Sequence, residues 1–217
     1  MTRRLTTILV LVLTAAACGH RPAPAQTPAT QVSSDSGGAL VPVGLGQLNQ
    51  DVITLRLKLP NLEIRFTPLD ERVTRLLAND GYQSLDGMRT RNQAAIDSVV
   101  ARQGLRRPGL VLVSFFGLAP NTSFDPSLLL LVDSRNRPVR PAGFVPLSAS
   151  FSAQRLDVRD QAMGIVIYET VIPVTEPFTL TYLDASTDEW QRRLSRFDRE
   201  RARIQAKATN APAPGTP

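Results

Sequence analysis

The chain has 217 residues, a formal net charge of +6 at pH 7, one cysteine and one histidine. So slight a basic excess is no nucleic-acid footprint, and a lone cysteine excludes an internal disulfide framework. A single imidazole and a single thiol also leave little room for Ser-His-Asp or Cys-His catalysis, or for a zinc site, all of which need positioned His or Cys.

Met1-Thr2-Arg3-Arg4 opens the chain with positive charge, and Leu5 to Leu13 follow as an apolar run interrupted only by Thr6 and Thr7. A membrane-spanning helix needs ~20 apolar residues, so this run has the length of a signal-peptide core. The small residues Ala15 and Ala17 suit ordinary signal peptidase. Cys18, directly after Ala15-Ala16-Ala17 and before Gly19, points to a second mode of processing. The stretch resembles the bacterial lipobox, with Ala15 standing where that motif usually has leucine. The resemblance implies cleavage before Cys18, acylation of its thiol, and, from Gly19, delivery to the periplasmic face of the outer membrane of a Gram-negative cell. Removal of residues 1–17 takes Arg3 and Arg4 with it and lowers the charge to +4.

Residues 18–48 read as a tether. Pro22, Pro24 and Pro28, then Ser33, Ser34, Ser36, Gly37 and Gly38, offer too little apolar surface to offset the entropy of ordering. His20 lies inside this stretch, without the fixed neighbourhood a ligand or catalyst needs.

Residues 49–108 read as a strand pair followed by helices that pack on a sandwich. Leu55, Leu57 and Leu59 alternate with Arg56 and Lys58, and Leu62, Ile64 and Phe66 alternate on the other parity, so the chain must turn or bulge at Pro60. Thr67 with Pro68 and Asp70 predicts a helix from about Leu69 to Ala78, closed by Asn79-Asp80-Gly81. A second helix is expected over about Ser84 to Arg102, ending at Gly104.

Residues 109–185 turn to β-formers. Leu110 to Phe116, Leu128 to Val132, Arg137 to Arg140, Met163 to Val171 and Phe178 to Tyr182 read as strands. One or two edge strands are expected within Phe144 to Leu156. Strands separated by turn residues, with no helix between them, predict an antiparallel sandwich. The fold class expected is thus α+β: mainly an antiparallel β-sandwich, with two N-terminal helical segments and an amphipathic C-terminal helix. The stretch from Leu110 to Asp184, about a third of the chain, is similar to the immunoglobulin-like, telokin-like sandwich of exported bacterial proteins. This chain has Asp133-Ser134 and Asp157 to Asp160 where that family has Asp-Gly and Pro-Gly. The resemblance implies a fold and supplies no site residues.

Residues 186–207 read as that helix. Ser186 and Glu189 form a capping-box pattern, Trp190, Leu194, Phe197 and Ile204 fall on one stripe, and six arginines surround them. Two readings stand. In one, Arg193 and Arg201 meet anionic headgroups or an acidic partner while Trp190 and Phe197 anchor the apolar side. In the other, the stripe covers the sandwich and the arginines are a solvated face. Residues 208–217 read as a disordered tail.

Carboxylates alone can hydrolyse glycosidic bonds, so Asp125, Asp133, Asp157, Asp160 and Glu169 are the acids to weigh. All but Glu169 lie beside turn formers, where aspartate caps backbone amides. Asp133 to Asn136 offers too few oxygens for calcium, and Gly44-Leu45-Gly46 lacks the third glycine of a dinucleotide loop. The expectation is a lipid-anchored cell-envelope protein serving as a non-enzymatic interaction or accessory module, without catalytic residues, cofactor, metal or nucleic-acid partner, and with an unknown envelope protein as partner. The alternatives are a carboxylate-dependent hydrolase of an envelope polymer, and an assembly or sensor subunit that docks through its C-terminal helix.

Overall fold

The computed structural model describes residues 40–210. The expected signal segment, Cys18, His20, the expected tether up to residue 39 and the expected tail from residue 211 lie outside the described residues.

Alternation in the first strand pair translates directly into a hairpin. β1 (Leu55–Lys58) and β2 (Leu62–Pro68) pair antiparallel with Leu57 opposite Ile64, and Pro60-Asn61 forms the turn between them. Odd residues therefore face even ones, and Leu55, Leu57, Leu62, Ile64 and Phe66 are all buried on one side.

Beyond this hairpin the helices depart from expectation. Thr67 and Pro68 continue β2, because Pro68 pairs with Val111 in the neighbouring strand. The cap is Asp70, whose carboxylate accepts from Arg72 N, and α1 (Glu71–Thr74) lasts a single turn. Leu76 and Leu77 are buried against Leu48: Leu48 N donates to Leu76 O at 3.0 Å and Ala78 N to Leu48 O at 2.9 Å. The chain is thereby taken out of helical geometry, and Asn79-Asp80-Gly81 opens α2 (Asn79–Arg91) rather than closing α1. α3 (Gln93–Arg102) follows after a break at Asn92, whose side-chain amide donates to Met88 O at 2.8 Å. Gly104, at φ 62°, ends it as expected.

Order also starts earlier than the tether reading allows. Val41 and Leu48 are buried, and Gly46 runs so close to Leu76 and Leu77 that a Cβ there would stand 2.3 Å from a carbonyl oxygen.

The remaining strands are β3 (Gly109–Gly117), β4 (Thr122–Ser123), β5 (Leu130–Asp133), β6 (Pro138–Val139), β7 (Pro141–Pro146), β8 (Arg155–Leu156), β9 (Gln161–Tyr168), β10 (Phe178–Tyr182) and β11 (Ala185–Thr187). The region expected to hold edge strands also contains a short helix, α4 (Ala149–Ala153), capped by the Ser148 hydroxyl. α5 (Glu189–Thr209) completes the order.

The described residues form three antiparallel sheets: a five-stranded one, β1-β2-β3-β9-β7, a four-stranded one, β11-β10-β5-β6, and the small pair β4-β8. The fold is α+β, mostly antiparallel, and the two larger sheets share one core. Phe66 of one lies 6.3 Å from Phe178 of the other, Phe115 lies 6.3 Å from Tyr182, and Tyr168 donates its hydroxyl to Leu129 O at 3.0 Å. Burial pushes the Tyr168 hydroxyl pKa far up, so it serves as a donor throughout the physiological range.

Candidate functional site

β1 is the last strand of its sheet and β11 the last strand of the other, and no strand pairs with either outer edge among the described residues. The two edges nevertheless run beside one another, leaving a seam of about 500 Å³. Arg56, Leu57 and Lys58 line one side, Ala185, Ser186 and Thr187 the other, and Glu189 and Arg193 close one end.

Register decides which backbone groups face the seam. Leu59 N donates to Leu62 O at 2.8 Å, so the odd residues of β1 spend their peptide groups on β2. The even residues, Thr54, Arg56 and Lys58, turn theirs outward. Thr54 agrees with this: its carbonyl accepts from Arg193 Nη1 at 2.7 Å. Across the seam, Tyr182 pairs with Ala185 around the two-residue turn Leu183-Asp184, which directs the peptide groups of Ser186 away from β10. Arg56 and Lys58 therefore turn their N–H and C=O groups away from β2, and Ser186 away from β10, and no strand among the described residues pairs with them.

The charge here is mixed but mainly positive. Arg56 pairs with Asp51 at 2.9 Å, both exposed, so the contact is weak and exchangeable. Lys58 is exposed at the rim. Arg193 is fully engaged in building the end wall: besides Thr54 it donates to Val52 O at 3.1 Å and Asp51 O at 3.3 Å, and its Nη2 meets Glu189 Oε2 at 2.8 Å.

The contact residues expected from the C-terminal helix are placed differently from the partner-facing reading. Trp190 and Phe197 are 0% and 1% exposed. Trp190 lies with its ring 5.0 Å from those of both Phe178 and Phe197, tilted against each, and donates Nε1 to Val174 O at 3.2 Å. An apolar side so enclosed cannot anchor a membrane or partner; the stripe belongs to the core. Arg193 braces backbone carbonyls, and Arg201, whose side chain is 15% exposed, donates to Asp198 at 2.7 Å. The expected Ser186–Glu189 capping box is also absent, since Ser186 lies in β11 and Thr187 Oγ1 accepts the Glu189 N–H instead.

Each acid weighed for hydrolysis accepts a backbone N–H. Asp125 holds Ser127 N, Asp133 holds Arg135 N and Arg137 N, Asp157 holds Asn121 N, Asp160 holds Asp157 N, and Glu169 holds Arg140 N. Arg137, through its backbone and side chain, lowers the Asp133 carboxyl below the ordinary carboxylate range. No group of three His, Cys, Asp or Glu fit to hold a metal occurs among the described residues, and no described helix is long and apolar enough to cross a membrane.

The seam escaped sequence reading because it is made by edges of two different sheets. Its only sequence trace is the polar placement of Arg56 and Lys58. Comparison with protein-family models, curated proteins and solved structures returned no match.

Proposed function

We propose that this chain is exported, acylated on Cys18 and held at the periplasmic face of the outer membrane. Its sandwich is immunoglobulin-like and serves as a non-enzymatic interaction module that receives an extended segment of a partner protein along the seam between β1 and β11.

Strand order supports the immunoglobulin-like assignment. β2-β3-β9-β7 and β11-β10-β5-β6 correspond to the A-B-E-D and G-F-C-C′ sheets of that sandwich, and the chain crosses between sheets after β3, β6 and β9 as it does there. The observation carrying the binding role is the unpaired seam. An incoming strand satisfies the outward groups of Arg56 and Lys58 through main-chain hydrogen bonds, the mode by which exposed sheet edges bind peptides. The engagement of all five weighed acids with backbone N–H groups favours this module over a carboxylate hydrolase, which needs two acids converging on one bond.

A photo-crosslinking residue at position 58 or 186, used in the intact envelope, is expected to mark one extended segment of one partner. The same residue at position 135, in the β5–β6 turn, is expected not to. Equal marking from all three positions refutes the seam as the binding place. The anchor has a separate test: radioactive palmitate is expected to label the native chain and to leave Cys18→Ser unlabelled.

A further inference from the structure

We infer that α5 is a membrane-docking element whose row of basic side chains lies against anionic lipid headgroups. The inference rests on the proposed function only in that a membrane must be within reach. Arg192, Arg196, Arg199, Arg203 and Lys207 follow one another at spacings of four and three, so they line one side of the helix over roughly 22 Å at ~1.5 Å per residue. Phe197, Trp190 and Ile204 lie on the opposite, buried side.

The row is under-neutralised. The helix carries seven basic residues against three acids: Asp198 spends its charge on Arg201 and Glu189 on Arg193, away from the row, while Glu200 binds the row's Arg203 and leaves Arg192, Arg196, Arg199 and Lys207 without an ion pair to an acid of the helix. Arg196, Arg199 and Lys207 are exposed, and among the described residues their side chains have neither a hydrogen bond nor an ion pair. Arg192 meets Asp188 only at 3.6 Å, with both side chains more than 70% exposed, a pair that contributes little in water.

Two further observations favour a lipid surface over a protein. None of the exposed large apolar residues among the described ones, Leu40, Val43, Leu118, Leu128, Val158 and Leu183, lies on α5. A protein interface draws its energy from desolvated aromatic or aliphatic anchors, whereas a polybasic helix needs only charge to bind anionic headgroups. The chain also enters the fold beside this row. Arg203 Nη2 donates to Leu45 O at 2.6 Å, and Gln47 N donates to Glu200 Oε1 at 2.7 Å. Leu40 is 22 residues from Cys18, so a lipid there keeps Leu40, where the described fold begins, within about 75 Å of the bilayer even at full extension.

The test uses the full-length chain with Cys18→Ser, which separates this inference from acylation. Sedimentation is measured with vesicles of phosphatidylcholine alone and vesicles that also contain phosphatidylglycerol. The leader carries Arg3 and Arg4 and is the same in every variant, so the difference between Cys18→Ser and its row variants in preference for the anionic vesicles reads the row. Arg196→Gln, Arg199→Gln and Lys207→Gln together are expected to lower affinity for the anionic vesicles on the order of 100-fold, from roughly five-fold per basic residue, and to leave the neutral ones unchanged. High salt is expected to erase the preference, and Arg196→Lys with Arg199→Lys to retain it. The triple variant lies on exposed positions, and an unchanged urea midpoint verifies its fold. Absence of any preference, or a preference the triple variant keeps undiminished, overturns the inference. So does an equal loss of binding to duplex DNA, which would make the row a general polyanion site.

Discussion

Replacing Trp190 by alanine tests whether α5 is part of the core. The indole is wholly enclosed between Phe178 and Phe197, and its Nε1 is the donor to Val174 O. Truncation of a buried Trp costs about 3–5 kcal/mol through lost transfer energy and the cavity left behind. The Val174 carbonyl, left buried without its donor, adds about 1–3 kcal/mol. The expected loss is thus about 4–8 kcal/mol, a large share of the 5–15 kcal/mol of a typical domain. Trp190→Phe retains most of the ring contact but not the donor, and is expected to lose less than half as much. Trp190 is the only tryptophan, so unfolding in urea is followed by far-ultraviolet circular dichroism rather than fluorescence. With a slope near 2 kcal/mol per molar urea, the midpoint of Trp190→Ala falls by about 2 M or more, or the variant is unfolded from the start. A loss below about 1 kcal/mol, typical of a surface position, refutes the core assignment of the helix.

Gly46→Ala is expected to detach the segment from Val41 to Leu48, because its Cβ would stand 2.3–2.4 Å from the backbone of Leu76 and Leu77, which cannot swing aside. Amide hydrogen exchange checks this through loss of protection at Leu48 and Ala78, with about 1–3 kcal/mol of stability lost. Glu200→Gln is expected to cost about 2 kcal/mol at neutral pH, since charge-assisted bonds from Arg203 and Gln47 N are weakened. Arg203 first, then the Gln47 N–H, hold the Glu200 carboxyl below its ordinary value of 4.5. Its contribution is therefore complete above that value and lost as pH falls through the lower, folded value, so urea midpoints of the native chain decline more steeply below pH 4.5 than those of Glu200→Gln. Leu183 sits at φ 54° in the β10–β11 turn with 65% of its surface exposed. Leu183→Gly is expected to raise stability by about 1 kcal/mol, a gain of about 2–4 °C in melting temperature, as left-handed strain is relieved with little burial forgone.

Period-two alternation made the β1–β2 hairpin legible, parity switch included, and the apolar runs at Leu110 to Phe116 and Phe178 to Tyr182 marked two central strands. The helices between them were not legible. Thr67-Pro68 carries a helix-start pattern, yet a seven-residue ladder with β3 holds it in a strand, and the Leu48–Leu77 bridge that breaks the expected helix joins residues 29 positions apart. Local capping rules cannot weigh such contacts, because their energy comes from partners outside the window.

Composition and spacing alone determined that the described fold contains neither thiol nor imidazole, that antiparallel strands dominate it, and that a helix with an aromatic stripe ends it. Only the tertiary structure decided what that stripe meets. Trp190 meets Phe178 of β10 on one side and Phe197 on the other, and Arg193 is spent on the carbonyls of Asp51, Val52 and Thr54, some 140 positions earlier. It also decided that two sheets end side by side without pairing. A chain's periodicity reports which face of each element is buried; which edges meet depends on how the layers stack, and that is a property of the whole core.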